Sequence, residues 1–179
     1  AQDLQSLAGK ILRLNPAGGP APAGNPFGNY VWSYGHRNPQ GLAFDSQGRL
    51  WEQEFGEDFE DETNLIEKGG NYGWPLCEGT VSRQGSGCQT PGFKPPKATY
   101  KPLEASCSGI GIVRDAVYVG CLRGSRMYRH EISGSNLINT QQLFAGTYGR
   151  IRAVEPSLDG GLWLGTNGFD RVLKVNLGR

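Results

Sequence analysis

Apolar residues along this chain fall in short runs that alternate with polar ones, and turn-forming residues punctuate them every few positions. Such period-two patterning predicts strands whose successive side chains face opposite sides of a sheet. Residues 8–14, AGKILRL, alternate in this way, a Pro/Gly-rich connector covers 15–29, and another strand spans 30–34. Leu42-Ala43-Phe44 and the run 49–55 then flank the turn Asp45-Ser46-Gln47-Gly48, which reads as a β-hairpin. An acidic loop over 56–62 leads to a strand at 63–66 and a glycine-rich turn over 68–75, and residues 76–100 read as an irregular insertion. A second hairpin joins 109–113 to 116–122 across Arg114-Asp115, with strands at 126–132 and 141–145 behind it. The third joins 151–156 to 161–165 across Ser157-Leu158-Asp159-Gly160, and a strand over 171–177 closes the chain.

Side by side, GLAFDSQGRLWEQEF, GIGIVRDAVYVGCL and AVEPSLDGGLWLG are three versions of one strand–turn–strand unit, each followed by a further strand (TNLIEK, RMYRHEI, RVLKVNL). The second and third copies start 44 residues apart, at 109 and 153, within the spacing of propeller blades. An all-β propeller follows, with loops gathered round a central channel; a sandwich with chance similarity is the competing architecture. Residues 1–34 would end a preceding blade, 35–105 form a blade with an insertion, and 106–148 and 149–179 form two more. Three to three and a half blades do not close a ring, so the chain is expected to be the C-terminal part of something larger, or to pair with another chain.

Composition agrees with this pattern. Twenty-eight glycines and eleven prolines argue against a helical protein, while 37% hydrophobic residues suffice for a core. A net charge of +1 provides no global field for nucleic acid or an anionic membrane. No apolar run approaches the roughly 18 residues that span a bilayer. The chain opens at Ala1 without an initiator methionine or a signal peptide, as expected of a processed, recombinant or partial polypeptide. Four cysteines form two local pairs: Cys77 and Cys88 bracket a Gly/Ser-rich loop, and Cys107 and Cys121 sit nearly opposite on the arms of the second hairpin. The CxxC spacing that zinc would favour is absent. Two disulfides, and with them a secreted or periplasmic location, are the favoured reading; four buried free thiols are the alternative.

Candidate chemistry concentrates in three places. The turn Gly35-His36-Arg37-Asn38-Pro39-Gln40-Gly41 crowds a cation, amides and an imidazole between two glycines, as functional loops do. Arg150 and Arg152 sit two apart at a strand start and so share a face. Seven of the seventeen carboxylates fall between Glu52 and Glu62. A run of that kind is ordinarily a solvated face, but calcium takes about six to eight oxygen ligands and is the other reading. The spacing of an EF-hand is absent.

GHRNPQGLAFDSQGRL, DETNLIEKGGNYGWP and RIRAVEPSLDG, in that order, resemble the soluble quinoprotein glucose/sorbosone dehydrogenase family, which includes the aldose sugar dehydrogenases. AQDLQSLAGKILRLNP fits the stretch before that family's fourth blade, and the resemblance is weakest over 76–100. It implies a six-bladed propeller that uses pyrroloquinoline quinone (PQQ) with calcium. It implies further that Arg37, Asn38, Arg123, Arg150 and Arg152 contact PQQ, and that backbone carbonyls of Gly56 and Glu57 hold the calcium. Glu62 and Tyr72 match an additional calcium site of some members. Arginine suits a planar tricarboxylate because its fork binds carboxylates bidentately and stacks on rings; five solvated surface groups are the plain alternative. The activity implied is oxidation of an aldose sugar at its anomeric carbon by hydride transfer to PQQ, with a histidine as general base. Neither His36 nor His130 matches that histidine, so the base is expected on N-terminal blades from another segment or chain. The competing function is a non-catalytic secreted propeller that binds a protein or glycan, as in relatives resembling the Hedgehog-interacting protein.

Overall fold

The computed structural model describes residues 1–83 and 87–178, and among these it contains strands and turns but no helix. Strands β1 (Lys10–Leu12) and β2 (Val31–Tyr34) form an antiparallel pair. Strands β3 (Pro39–Phe44), β4 (Leu50–Glu54) and β5 (Asp61–Ile66) begin a meander. A small hairpin of β6 (Cys77–Glu78) and β7 (Val81–Ser82) follows, and β8 (Ala98–Tyr100) then returns to pair with β5. The first sheet therefore has the order β3-β4-β5-β8. The second is β9 (Cys107–Val113), β10 (Ala116–Cys121), β11 (Arg126–Ser133) and β12 (Asn136–Leu143), and the third is β13 (Arg150–Pro156), β14 (Leu162–Asn167) and β15 (Val172–Val175), both in chain order.

The hairpin turn between β3 and β4 shows how the sequence closes these units. The Asp45 carboxylate accepts hydrogen bonds from the backbone N–H groups of Gln47 (3.0 Å) and Arg49 (2.9 Å), and from the Arg49 Nε (2.7 Å) and Trp51 Nε1 (2.9 Å). Burial opposes its ionisation, yet these bonds from Trp51 and Arg49 hold its carboxyl below the ordinary range. One side chain thus sets the turn and anchors the indole of fully buried Trp51.

The sheets stack face to face. In β10 every residue is buried, because both faces of the strand are covered. Val117 and Val119 face one way, into a core with Trp51, Leu65, Tyr100, Ile110 and Tyr128 between the first and second sheets. Ala116 and Tyr118 face the other way, joining Met127, Ile151, Val154, Leu162 and Leu164 between the second and third. Each fully buried aliphatic side chain contributes about 1.5–3 kcal/mol relative to exposure. The first strands of successive sheets approach closely enough that only glycine fits: a Cβ on Gly41 would lie 2.8 Å from the Ser108 carbonyl oxygen, and one on Gly109 would lie 2.6 Å from that of Arg152.

Two sequence expectations change here, and the two expected disulfides are present. The stretch 76–100 is not wholly an insertion, since β8 is the outer strand of the first sheet. The strand expected at 141–145 is the end of a longer edge strand, β12. Free thiols are excluded: Cys77 is bonded to Cys88 and Cys107 to Cys121, the latter two being partners across β9 and β10.

Candidate functional site

In a meander the start of the first strand and the end of the second lie at the same edge of the sheet. Arg37 and Asn38 precede β3, Gly56 and Glu57 follow β4, Arg123 follows β10, and Arg150 opens β13, so all three sheets present these residues at one common edge. There Arg37, Arg123 and Arg150 line a single cleft of about 380 Å³ together with Phe55, Gly56, Glu57, Asp61, Pro102, Ser106 and Leu122. Three guanidinium groups face two carboxylates in this lining, and the cleft is cationic. A larger hollow of about 570 Å³ lies elsewhere, against Leu12, Leu14, Trp32, Leu42 and Phe44; its lining is mainly apolar, with Arg13, Arg49 and Glu67 among it.

The arginine-bearing turn is held from below by Glu54. One oxygen of its carboxylate accepts the backbone N–H of Arg37 (2.8 Å) and of Asn38 (3.1 Å), while the Arg37 guanidinium donates to the Phe55 carbonyl (3.2 Å) and lies over the Trp74 ring. His36 is fully buried beneath the turn, with Nε2 against Ser33 Oγ (2.8 Å), Nδ1 against Glu54 Oε1 (3.4 Å) and its ring stacked on Tyr72. From there it shapes the turn. His130 is also buried, bonded to the Tyr100 hydroxyl (2.7 Å) and Thr140 Oγ1 (3.0 Å), and burial pushes its pKa down to about 4.

The acidic run is the part that composition describes least well. Glu57 and Asp58 are exposed, but Glu52, Glu54, Glu60, Asp61 and Glu62 are buried, so this is not a solvated face. The loop over 57–60 wraps round the carboxylate of Glu78. A single oxygen, Oε1, accepts the N–H groups of Glu57 (2.7 Å), Asp58 (2.8 Å), Phe59 (2.7 Å) and Glu60 (3.2 Å). Because a trans peptide points its C=O opposite its N–H, the first two of these bonds turn the Gly56 and Glu57 carbonyls away from Glu78. Asp61 completes the frame by accepting from Gly56 N (3.0 Å) and Cys107 N (3.0 Å), which ties the loop to the start of β9. Space here is tight: a Cβ on Gly56 would lie 2.1 Å from the Glu60 carbonyl oxygen.

Other expected site residues fall differently. Arg152 is exposed like Arg150, but it occupies the irregular position where the β13–β14 register shifts, and it is not among the residues lining the cleft. Asn38 is exposed beside the cleft, not in its lining. The Tyr72 hydroxyl donates to the Leu65 carbonyl (2.6 Å) and accepts from Glu67 N (2.9 Å), and burial pushes its pKa up. Glu62 instead accepts from Gly79 N and Asn64 Nδ2, and burial with the nearby Glu54 charge raises its pKa to about 8. Glu78, Glu54 and Asp61 shape the site; the acidic run contains Glu54 and Asp61 without giving them this role, and nothing in LCEGT marks Glu78 as the centre of a loop twenty residues earlier.

The glucose/sorbosone dehydrogenase family model matches residues 1–174. The aldose sugar dehydrogenase YliI of Escherichia coli is 31% identical over 204 residues, covering 98% of this chain and 53% of that protein. Quinoprotein glucose dehydrogenase B of Acinetobacter calcoaceticus is 49% identical over 82 residues, 44% of this chain and 17% of that protein. Among solved structures, the PQQ-bound aldose sugar dehydrogenase of Streptomyces coelicolor superposes with a TM-score of 0.85 at 46% identity, over 94% of this chain and 49% of that one. The chain spans about half the length of the relatives that it matches along nearly all of its own length. Its all-β sheets share the propeller fold of the PQQ-type sugar dehydrogenases. A match of this extent leaves one assignment: the chain belongs to the glucose/sorbosone dehydrogenase family.

Proposed function

We propose that this chain is the C-terminal part of a PQQ-dependent aldose dehydrogenase, secreted or periplasmic, whose cofactor half-site is the arginine-lined cleft. The observation that carries this reading is the convergence of Arg37, Arg123 and Arg150, one from each sheet, on a cleft bordered by the Gly56–Glu57 peptide. The donor set fits the cofactor, since three guanidinium forks match a flat polycarboxylate in charge and geometry. It fits calcium too, because the Glu78 nest frees the carbonyls of Gly56 and Glu57 as hard oxygen donors. When bound, PQQ supplies the ortho-quinone that accepts a hydride from the anomeric carbon of the sugar.

The chain's own residues contribute position and charge. Glu54 fixes the Arg37–Asn38 backbone, so the Arg37 guanidinium is presented without a loop having to order on binding. Asn38, beside the cleft, offers an amide, and Arg152 adds a second exposed guanidinium near the start of β13, at its irregular position. The proton of the sugar hydroxyl has no acceptor among the histidines here, as both His36 and His130 are buried and hydrogen-bonded. We assign the base to blades supplied by another segment or chain. Titrating the purified chain with PQQ and Ca²⁺, read by quinone absorbance and thermal stability together, tests the half-site. Saturable, calcium-dependent binding that weakens in Arg150→Ala is the expected result. A well-folded chain that binds no PQQ overturns it and favours a non-catalytic binding module.

A further inference from the structure

Two residues outside the lining of the cationic cleft, Trp74 and Arg83, connect two residues that belong to it. The guanidinium carbons of Arg37 and Arg83 both lie over the Trp74 ring, 5.5 Å and 5.0 Å from its centroid. A cation within about 6 Å of an indole centroid is attracted by the negative face of the ring. The indole is itself tied to the arginine turn. Trp74 N donates to the carbonyl of Gly35, where that turn opens (2.8 Å), and the Trp74 carbonyl accepts from Gln2 Nε2 (2.7 Å). Arg83 then reaches the acidic loop, its Nη1 lying 2.5 Å from Glu57 Oε2 and 3.4 Å from Glu78 Oε2. Contacts therefore run without a break from Arg37 through Trp74 and Arg83 to Glu57, and both ends of the series line the cleft.

Each half of this bridge matters to an anion in the cleft. An arginine side chain has several rotatable bonds, and holding it in place before a ligand arrives lowers the ordering cost of binding. The Trp74 ring and the Phe55 carbonyl hold Arg37 in this way. Glu57 brings a carboxylate into a lining that otherwise gathers arginines, and like charges set against each other oppose binding. Arg83 takes up that charge from outside the lining. We propose that Trp74 and Arg83 are positioning residues of the cleft: Trp74 presents the Arg37 guanidinium and Arg83 neutralises Glu57, which together fit the cleft for a flat polycarboxylate. On the cofactor reading, on which this rests, that ligand is PQQ. Arg83 lies in the stretch 76–100, where the resemblance to the family is weakest, so the shared motifs do not account for it.

The test titrates the purified chain with PQQ, and separately with benzene-1,3,5-tricarboxylate, by calorimetry in the presence of Ca²⁺. Trp74→Leu should weaken both by at least ~3-fold, whereas Trp74→Phe keeps a ring and most of the affinity. Arg83→Gln should weaken both by about 2–5-fold, the range of one exposed charge pair, and the difference should fade between roughly 0.05 and 0.5 M NaCl. Adding Glu57→Gln, which keeps the backbone carbonyl, should restore the affinity of Arg83→Gln. Without ligand, the Nε–H proton resonances of Arg37 and Arg83 should lie upfield under the Trp74 ring current and return to ordinary positions in Trp74→Leu. Because the Arg83 side chain is 38% exposed, its variant keeps the test decisive even where Trp74→Leu does not fold. Unshifted arginine resonances overturn the proposal, as does PQQ binding by the parent that neither variant weakens. An Arg83→Gln defect that persists in high salt, or that Glu57→Gln does not rescue, also overturns it. A parent that binds the tricarboxylate but not PQQ refutes the cofactor reading alone, while one that binds neither refutes both.

Discussion

Replacing Glu78 by alanine removes the acceptor that four consecutive N–H groups share. The residue is 1% exposed, and three of its four contacts are 2.7–2.8 Å. Hydrogen bonds to a charged acceptor each contribute about 1.5–3 kcal/mol. Four donors on one oxygen cannot each reach that value, and the exposed N-terminal side of the loop can recruit water once Glu78 is gone. A total near ~3 kcal/mol follows for Glu78→Ala, or a fall in Tm of about 6–12 °C for a chain of this size. Glu78→Gln keeps an acceptor oxygen but not the charge, and should lose about 1 kcal/mol. Urea titrations monitored by tryptophan fluorescence would give both values. If Glu78→Ala loses less than about 1 kcal/mol, or matches Glu78→Gln, the loop over 57–60 does not depend on this carboxylate, and Glu78 does not orient the Gly56 and Glu57 carbonyls.

His130 predicts a pH dependence. Its pKa in the folded chain is about 4, against about 6.5 when unfolded, so the unfolded state binds the extra proton between those values. Its contribution is complete above about pH 6.5 and is lost as pH falls towards 4; melting curves of His130→Gln should show a shallower decline over that window, and an unchanged slope would refute the assignment. Replacing both Cys107 and Cys121 by alanine opens a covalent loop with a sequence separation of 14 and should cost about 3 kcal/mol by denaturation, with no loss arguing that the bond constrains nothing. Gly109→Ala should lower Tm more than Gly87→Ala, since a Cβ at the first meets the Arg152 carbonyl at 2.6 Å and one at the second meets nothing within 4 Å; equal effects would contradict the close seam between sheets.

The hairpins are legible in the sequence because their turns carry local chemistry: Asp45 and Gly48 bracket a turn in which the bonds to the Asp45 carboxylate all lie within seven residues. β8 is not, because Ala98–Tyr100 is three residues long, follows prolines, and owes its strand conformation to β5, whose Asp61 pairs with Tyr100 and Thr63 with Ala98 from far back in the chain. β12 reads short for a different reason: as an exposed edge strand, NLINTQQL has no buried face to impose alternation. Arg37, Arg123 and Arg150 are visible through motifs, and the structure gathers them. Composition misjudges the acidic run, since the burial of Glu52, Glu54 and Glu62 is decided by Asn64, Gly79 and neighbouring strands that no local pattern registers.

The seams between sheets are built where main chain meets main chain, at Gly41 against Ser108 and at Gly109 against Arg152. Such a hinge-free joint takes its angle from peptide geometry and not from the choice of side chains. Outer strands such as β12 can therefore drift in sequence over generations while the arginines, each carried by a different sheet, keep the same mutual aim. The sites least free to vary need not touch a ligand at all: they are the hydrogen-only positions that let the sheets close up.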